Sequence, residues 1–155
     1  YDKNNKILQK NPIEKNDLFV PPTDVNDSNI PNGNSIFLLN CKKLELITNE
    51  KKWKNMTKEL TQSFHSFLNL QSTQMVSYIK NLDMCEESQT FTFFGDINQN
   101  NDLHKYVKKN YFKFSTLIYK KDPKESYLIV CKKQTCSNKI KTIEQLKSVV
   151  KNYAI

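Results

Sequence analysis

The chain has no arginine: all 24 of its basic residues are lysine. Specific reading of nucleic-acid bases leans on the planar guanidinium fork, which a lysine ammonium does not reproduce, so that class of function loses its usual tool. Alanine occurs once (Ala154) and glycine twice (Gly33, Gly95), so no glycine-rich phosphate cradle is present. No apolar run approaches the roughly 18 residues that a membrane-spanning helix needs. Histidine is limited to His65 and His104, and neither has ligand spacing to a cysteine or to the other, so the sequence offers no zinc site.

What is present suits a folded domain. A length of 155 residues leaves room for a real core, and 37% hydrophobic with 11% aromatic content fits a globular protein. The net charge of +8 is uneven, with most of the excess lysine in the second half. A surface for anionic glycan, lipid or nucleic acid is one reading of that charge, and solvated lysines on helices and loops the other. The abundance of Asn, Lys, Ile and Tyr resembles proteins of very AT-rich genomes such as those of malaria parasites, which favours the second reading. The chain opens on Tyr1 rather than Met, which reads as a processed product.

Residues 1–35 hold Pro12, Pro21, Pro22 and Pro31 and end in Asn32-Gly33-Asn34, the composition of an extended arm or linker ahead of a domain over 36–155. Ser35 to Cys41 and Leu44 to Ile47 look strand-like. Thr48 or Asn49 then caps a helix with Trp53, Met56 and Leu60 on its apolar face. Phe64 to Leu70 reads as a strand, with His65 alternating among its core residues. Met75, Ile79 and Leu82 form the stripe of a second helix. Thr90 to Ile97 is a central strand, and Leu103, Tyr106, Val107 and Tyr111 mark a third helix. Phe114 to Tyr119 and Tyr127 to Cys131 are strands joined at Asp122-Pro123-Lys124. Thr142 caps a last helix, with Gln145 completing a capping box and Ile143, Leu146, Val150 and Tyr153 facing the core. The expectation is an α/β fold of order βαβαβαββα, a mixed sheet of about four or five strands with helices on its faces.

"LELITNEKKW", "FFGDINQNNDLHKYVKKNYFKFSTLIYKK" and "KTIEQLKSVVKNY" resemble, in pattern, the first strand and helix, the third strand onward, and the closing helix of a thioredoxin-like domain of the protein disulfide isomerase kind. The resemblance covers about residues 42–153. Counting from Thr48, it puts the family's Cys-containing motif on Gln71-Ser72-Thr73-Gln74-Met75 and its cis-proline on Ser115. Ser72 would then replace the nucleophilic cysteine and Met75 the resolving one. Dithiol exchange needs a thiolate and a second thiol, so the resemblance implies a redox-dead corner with no catalytic residue and no cofactor. Gln71 to Met75 together with Ser115 would leave a groove for a polypeptide partner, as in a chaperone subunit, adaptor or scaffold.

Cys41, Cys85, Cys131 and Cys136 allow three pairings. In the thioredoxin-like layout, Cys131 and Cys136 flank a local loop whose lysines would lower the thiol pKa, giving either a structural disulfide, a pair of thiols or an oxidoreductase site of its own. Cys41 and Cys85 are candidates to pair across the fold. An even cysteine count and a processed start favour a secretory or extracellular compartment, or an organelle lumen. Asn26-Asp27-Ser28 and Asn55-Met56-Thr57 match glycosylation acceptors, a weak signal in an Asn-rich chain.

Overall fold

The computed structural model describes residues 1–9, 25–96, 98, 99, 101–110, 112–133 and 135–151. Its contacts divide the chain into two units, Tyr1–Cys85 and Glu86–Ile155. The structure is α/β, with a four-stranded mixed sheet and flanking helices.

The first unit is helical: α1 (Gly33–Thr48), α2 (Lys51–Gln71), a short 3-10 turn (Ser72–Gln74) and the start of α3 (Val76–Glu86). The strands expected at 35–41, 44–47 and 64–70 are therefore helix, and the order βαβαβαββα does not hold over this half. Local signals explain the difference. Asn32 caps α1 by accepting from the Asn34 N–H at 2.8 Å, and Leu38 and Cys41 then recur on one buried stripe at helical spacing. Phe64 continues the face begun by Trp53, Met56 and Leu60, so α2 runs on through the expected strand. His65 faces solvent on that helix instead of alternating into a core. Thr48 closes α1 rather than opening α2, and Asn49 takes the left-handed C-cap conformation (φ 58°), its N–H donating to the Glu45 carbonyl.

Leu38, Leu60, Phe64, Met75 and Tyr78 form the core of this unit. The Phe64 and Tyr78 rings stack at 4.9 Å, and the Tyr78 hydroxyl donates to the Thr61 carbonyl. Burying a side chain of that size is worth roughly 2–3 kcal/mol. The described parts of the expected arm dock here: Ile7 and Val25 are buried in the same core, and the Leu8 N–H donates to Asn34 Oδ1. Residues 10–24 of that arm lie outside the described residues.

The second unit runs β1 (Gln89–Phe94), α4 (Asn101–Lys109), β2 (Ser115–Lys120), β3 (Tyr127–Lys132), a two-residue β4 (Thr135–Cys136) that the sequence reading did not include, and α5 (Ile143–Lys151). The sheet order is β2-β1-β3-β4, with β1 parallel to β2 and antiparallel to β3. Phe91 and Phe93 alternate with Thr90 and Thr92 along β1, and the two rings pack with Leu128, Val130, Leu103, Val107 and Leu146. The capping box at the head of α5 is formed: the Gln145 N–H donates to Thr142 Oγ1, and Gln145 Oε1 accepts from the Lys141 and Thr142 N–H groups. Ile97, Tyr111 and Tyr153, expected to belong to these elements, lie outside the described residues. Gly95 ends β1 at φ +82°, and a Cβ there would collide with the Glu125 carbonyl and Ser126 Oγ.

Candidate functional site: the two edges of the sheet

The corner Gln71–Met75 joins two helices. Ser72 is the C-cap of α2 and opens the 3-10 turn, and its carbonyl accepts from the Met75 N–H at 3.1 Å. It does not stand at the head of a helix that follows a strand, because Phe64–Leu70 is helical. Gln71 to Gln74 are exposed, while Met75 is fully buried in the helical core, so its side chain is packing. The head of α3 is capped from elsewhere in the chain: Asp27 Oδ2 accepts from the Ser77 N–H at 2.7 Å, and the Asp27 N–H donates to the Gln74 carbonyl. Leu70 and Val76 flank the corner at 80% and 62% exposure. Ser115, the sixth residue of the expected groove, opens β2 in the other unit.

Around Ser115 the main chain itself is the notable chemistry. The Gln89 N–H donates to the Phe114 carbonyl at 3.1 Å and the Gly95 N–H to the Lys120 carbonyl at 3.0 Å, with Gln89 opposite Ser115 and Phe94 opposite Lys120. In a parallel ladder alternate residues bond the neighbouring strand and those between them face away. Phe114, Thr116, Ile118 and Lys120 therefore turn their backbone toward β1. The N–H and C=O groups of Ser115, Leu117 and Tyr119 point off the sheet, and among the described residues no backbone group meets them. β2 is an edge strand six residues long, without proline, half-buried from Ser115 to Ile118 and exposed at Tyr119 and Lys120. At its far end Tyr119 stacks on Phe93 at 5.6 Å, and its hydroxyl lies 2.8 Å from His104 Nε2. Burial pushes the Tyr119 hydroxyl up, and burial with the charge of Lys108 pushes the His104 imidazole down, so the pair is held neutral near pH 7.

The opposite edge is closed. Leu128 and Ile140 exchange backbone bonds at 2.9 and 2.8 Å, and the Ser137 N–H donates to the Val130 carbonyl at 2.8 Å. The Val130 N–H donates to Ser137 Oγ at 3.1 Å. Beyond them β4 pairs Thr135 with Lys132, and a disulfide joins the directly opposed Cys131 and Cys136. Cys41 and Cys85 are not joined to each other. Burial raises the Cys41 thiol to about 11, too high for a reactive thiolate at neutral pH.

Charge follows the same division. Glu87 binds both Lys132 and Lys133 at 3.0 Å, and Glu125 binds Lys139 at 2.8 Å with Lys141 at 3.7 Å. Lys113 lies over the Phe114 ring and Lys120 over the Phe94 ring. Among the described residues no carboxylate reaches Lys108, Lys109, Lys113, Lys120 or Lys121.

Among the described residues no group of His, Cys, Asp and Glu is placed to hold a metal ion, and no helix is long and apolar enough to cross a membrane. Sequence reasoning reached Ser115 through the thioredoxin-like resemblance and missed the strand edge it begins. The available signal was the strand-like run from Ser115 bounded by Lys113, Lys120 and Lys121, since lysine is one of the residues that blunt edge strands. The chain was compared with protein-family models, curated proteins and solved structures, and none of the three gives a match.

Proposed function

We propose that this chain is a non-catalytic binding module that takes an extended segment of a protein partner by strand addition along β2. The observation that carries the reading is the outward main chain of Ser115, Leu117 and Tyr119, which no backbone group of the described residues meets. An added strand would satisfy those groups with its own backbone, and the side chains of β2 would grade which segments fit. A chaperone subunit, adaptor or scaffold would use such an edge. Strand addition does not require a thioredoxin-like identity. The Cys131–Cys136 disulfide favours an oxidising compartment, such as a secretory lumen or the cell exterior.

The test is a pair of substitutions at one residue, read by pull-down or display selection of peptides. Leu117→Pro removes the outward N–H and no bond within the sheet, whereas Leu117→Ala removes similar packing and keeps the N–H. Peptide capture is expected to vanish in the proline variant and persist in the alanine one. Equal capture by both would exclude strand addition here. A second reading, thiol–disulfide exchange at Cys131–Cys136, has the exposure of Cys136 in its favour. Glu87 counters it by neutralising the two lysines that would otherwise stabilise a thiolate.

A further inference from the structure

The lysines beside the open edge specify what chemistry pairs with it, granted the strand addition proposed above. Lys113 precedes β2, while Lys120 and Lys121 close it, so cationic side chains bracket the outward groups of Ser115, Leu117 and Tyr119. Between them the six-residue strand spans about 17 Å, five steps of about 3.3 Å. Lys108 and Lys109 add charge in the last turn of α4. These ammonium groups have no carboxylate partner among the described residues, in contrast to Lys132, Lys133, Lys139 and Lys141 on the closed side. A second copy of the same edge would bring like charges together and is disfavoured. Between the lysines the strand offers Leu117 and Tyr119 on one face and Ile118 on the other.

We infer that the partner segment is an acidic, extended peptide: carboxylates at both ends of a stretch that matches the six residues of β2, with apolar or β-branched residues between them. The carboxylates pair with the lysines at the ends, and the peptide backbone completes the ladder in the middle. Opposite charge then sets both the choice of segment and the rate of encounter.

Fluorescence anisotropy on the full chain tests this with four synthetic probes. They are a peptide with Asp-rich ends and a Val/Thr centre, its Lys-ended counterpart, the acidic peptide N-methylated at alternate central residues, and a single-stranded oligonucleotide of equal charge. The acidic peptide is expected to bind at least about tenfold tighter than the basic one, a difference near 1.4 kcal/mol, and to weaken as salt rises. The double variant K113E/K121E should invert that preference. Equal binding of acidic and basic peptides overturns the inference while leaving strand addition standing. Undiminished binding of the N-methylated peptide overturns strand addition itself. An oligonucleotide that displaces the acidic peptide at equal concentration overturns the choice of peptide as partner, and no binding of the acidic peptide overturns the inference outright.

Discussion

Along β3 the outward main chain is used residue by residue, by Ile140, Ser137 and the β4 pairing, and a disulfide locks the end of the strand. Along β2 the equivalent groups of Ser115, Leu117 and Tyr119 are left unmatched by the described residues. Both edges are rich in lysine, but among the described residues only the first supplies carboxylates to them. Edge strands are an aggregation hazard that folds ordinarily blunt by shortness, by charge or by cover. One edge here is blunted by shortness and cross-linking, the other by charge alone. That difference is what makes β2 the candidate for a partner: charge repels a copy of itself and attracts its opposite.

Proline is the sharpest probe of the contrast. Val130→Pro removes an N–H that is bonded to Ser137 Oγ and places a ring inside a strand paired on both sides. It is expected to cost about 4 kcal/mol or more, enough to unfold this unit. Leu117→Pro removes an N–H without such a partner and should cost about 1–3 kcal/mol, mostly lost packing against the core. Urea unfolding of both variants measures the gap. Equal losses would mean that the β2 edge is as engaged as the β3 edge, and the asymmetry would be gone.

The disulfide comes next in size. The ring it closes is short, since the two cysteines are five residues apart. The double variant C131S/C136S should therefore lose about 2 kcal/mol, as loop-closure entropy gives for so small a ring. Peptide binding at β2 should be unchanged, because the cross-link joins β3 to β4 and β1 stands between them and β2. A thermal melt and the acidic-peptide titration on the same sample check both halves of the statement. Loss of binding together with the disulfide would favour a redox role at that hairpin.

Legibility differed between the two halves for a physical reason. In the second unit the signals agree: Phe91 and Phe93 alternate with threonines, the Asp122 turn closes on its own side chain (Lys124 N–H to Oδ1, 2.8 Å), and Thr142 with Gln145 announces α5. In the first unit the apolar runs around Phe37 and Leu44 are short, and a short apolar run fits a strand or a buried helix equally. What decides them is the Asn32 cap together with packing against α2 and α3, and the packing is invisible until the chain is folded. The short run from Phe64 to Leu70 is ambiguous in the same way, and counting along the thioredoxin-like pattern from Thr48 then sets the expected geometry at Ser72. The open edge was hidden for another reason, since which carbonyls face outward depends on the register of β1 against β2.

The smallest predicted effect bears on the charges of the closed edge. Hydrogen bonds from Lys132 and Lys133 hold the Glu87 carboxyl below its ordinary value of 4.5, and Lys139 does the same for Glu125. A carboxyl whose folded value is depressed adds stability that is present above the unfolded value and lost as pH falls through the folded one. The hairpin should therefore hold its ion pairs at pH 6 and shed them only once the pH has fallen below the ordinary carboxyl value of 4.5. Both carboxylates are solvated, so the change belongs with surface pairs and is small. The melting temperature of the native chain should drop slightly between those values, and that of the E87Q variant should drop less. Lysines on the β2 side have no carboxylate among the described residues to release, so acid breaks no ion pair there. Acidic peptide should dissociate over the same range, but because its own carboxylates protonate. Replacing those carboxylates by sulfonates, which stay ionised, should make binding independent of pH across the window. If binding of the sulfonate peptide also fell away in acid, the edge itself would be titrating, and the contrast drawn between paired and unpaired lysines would fail.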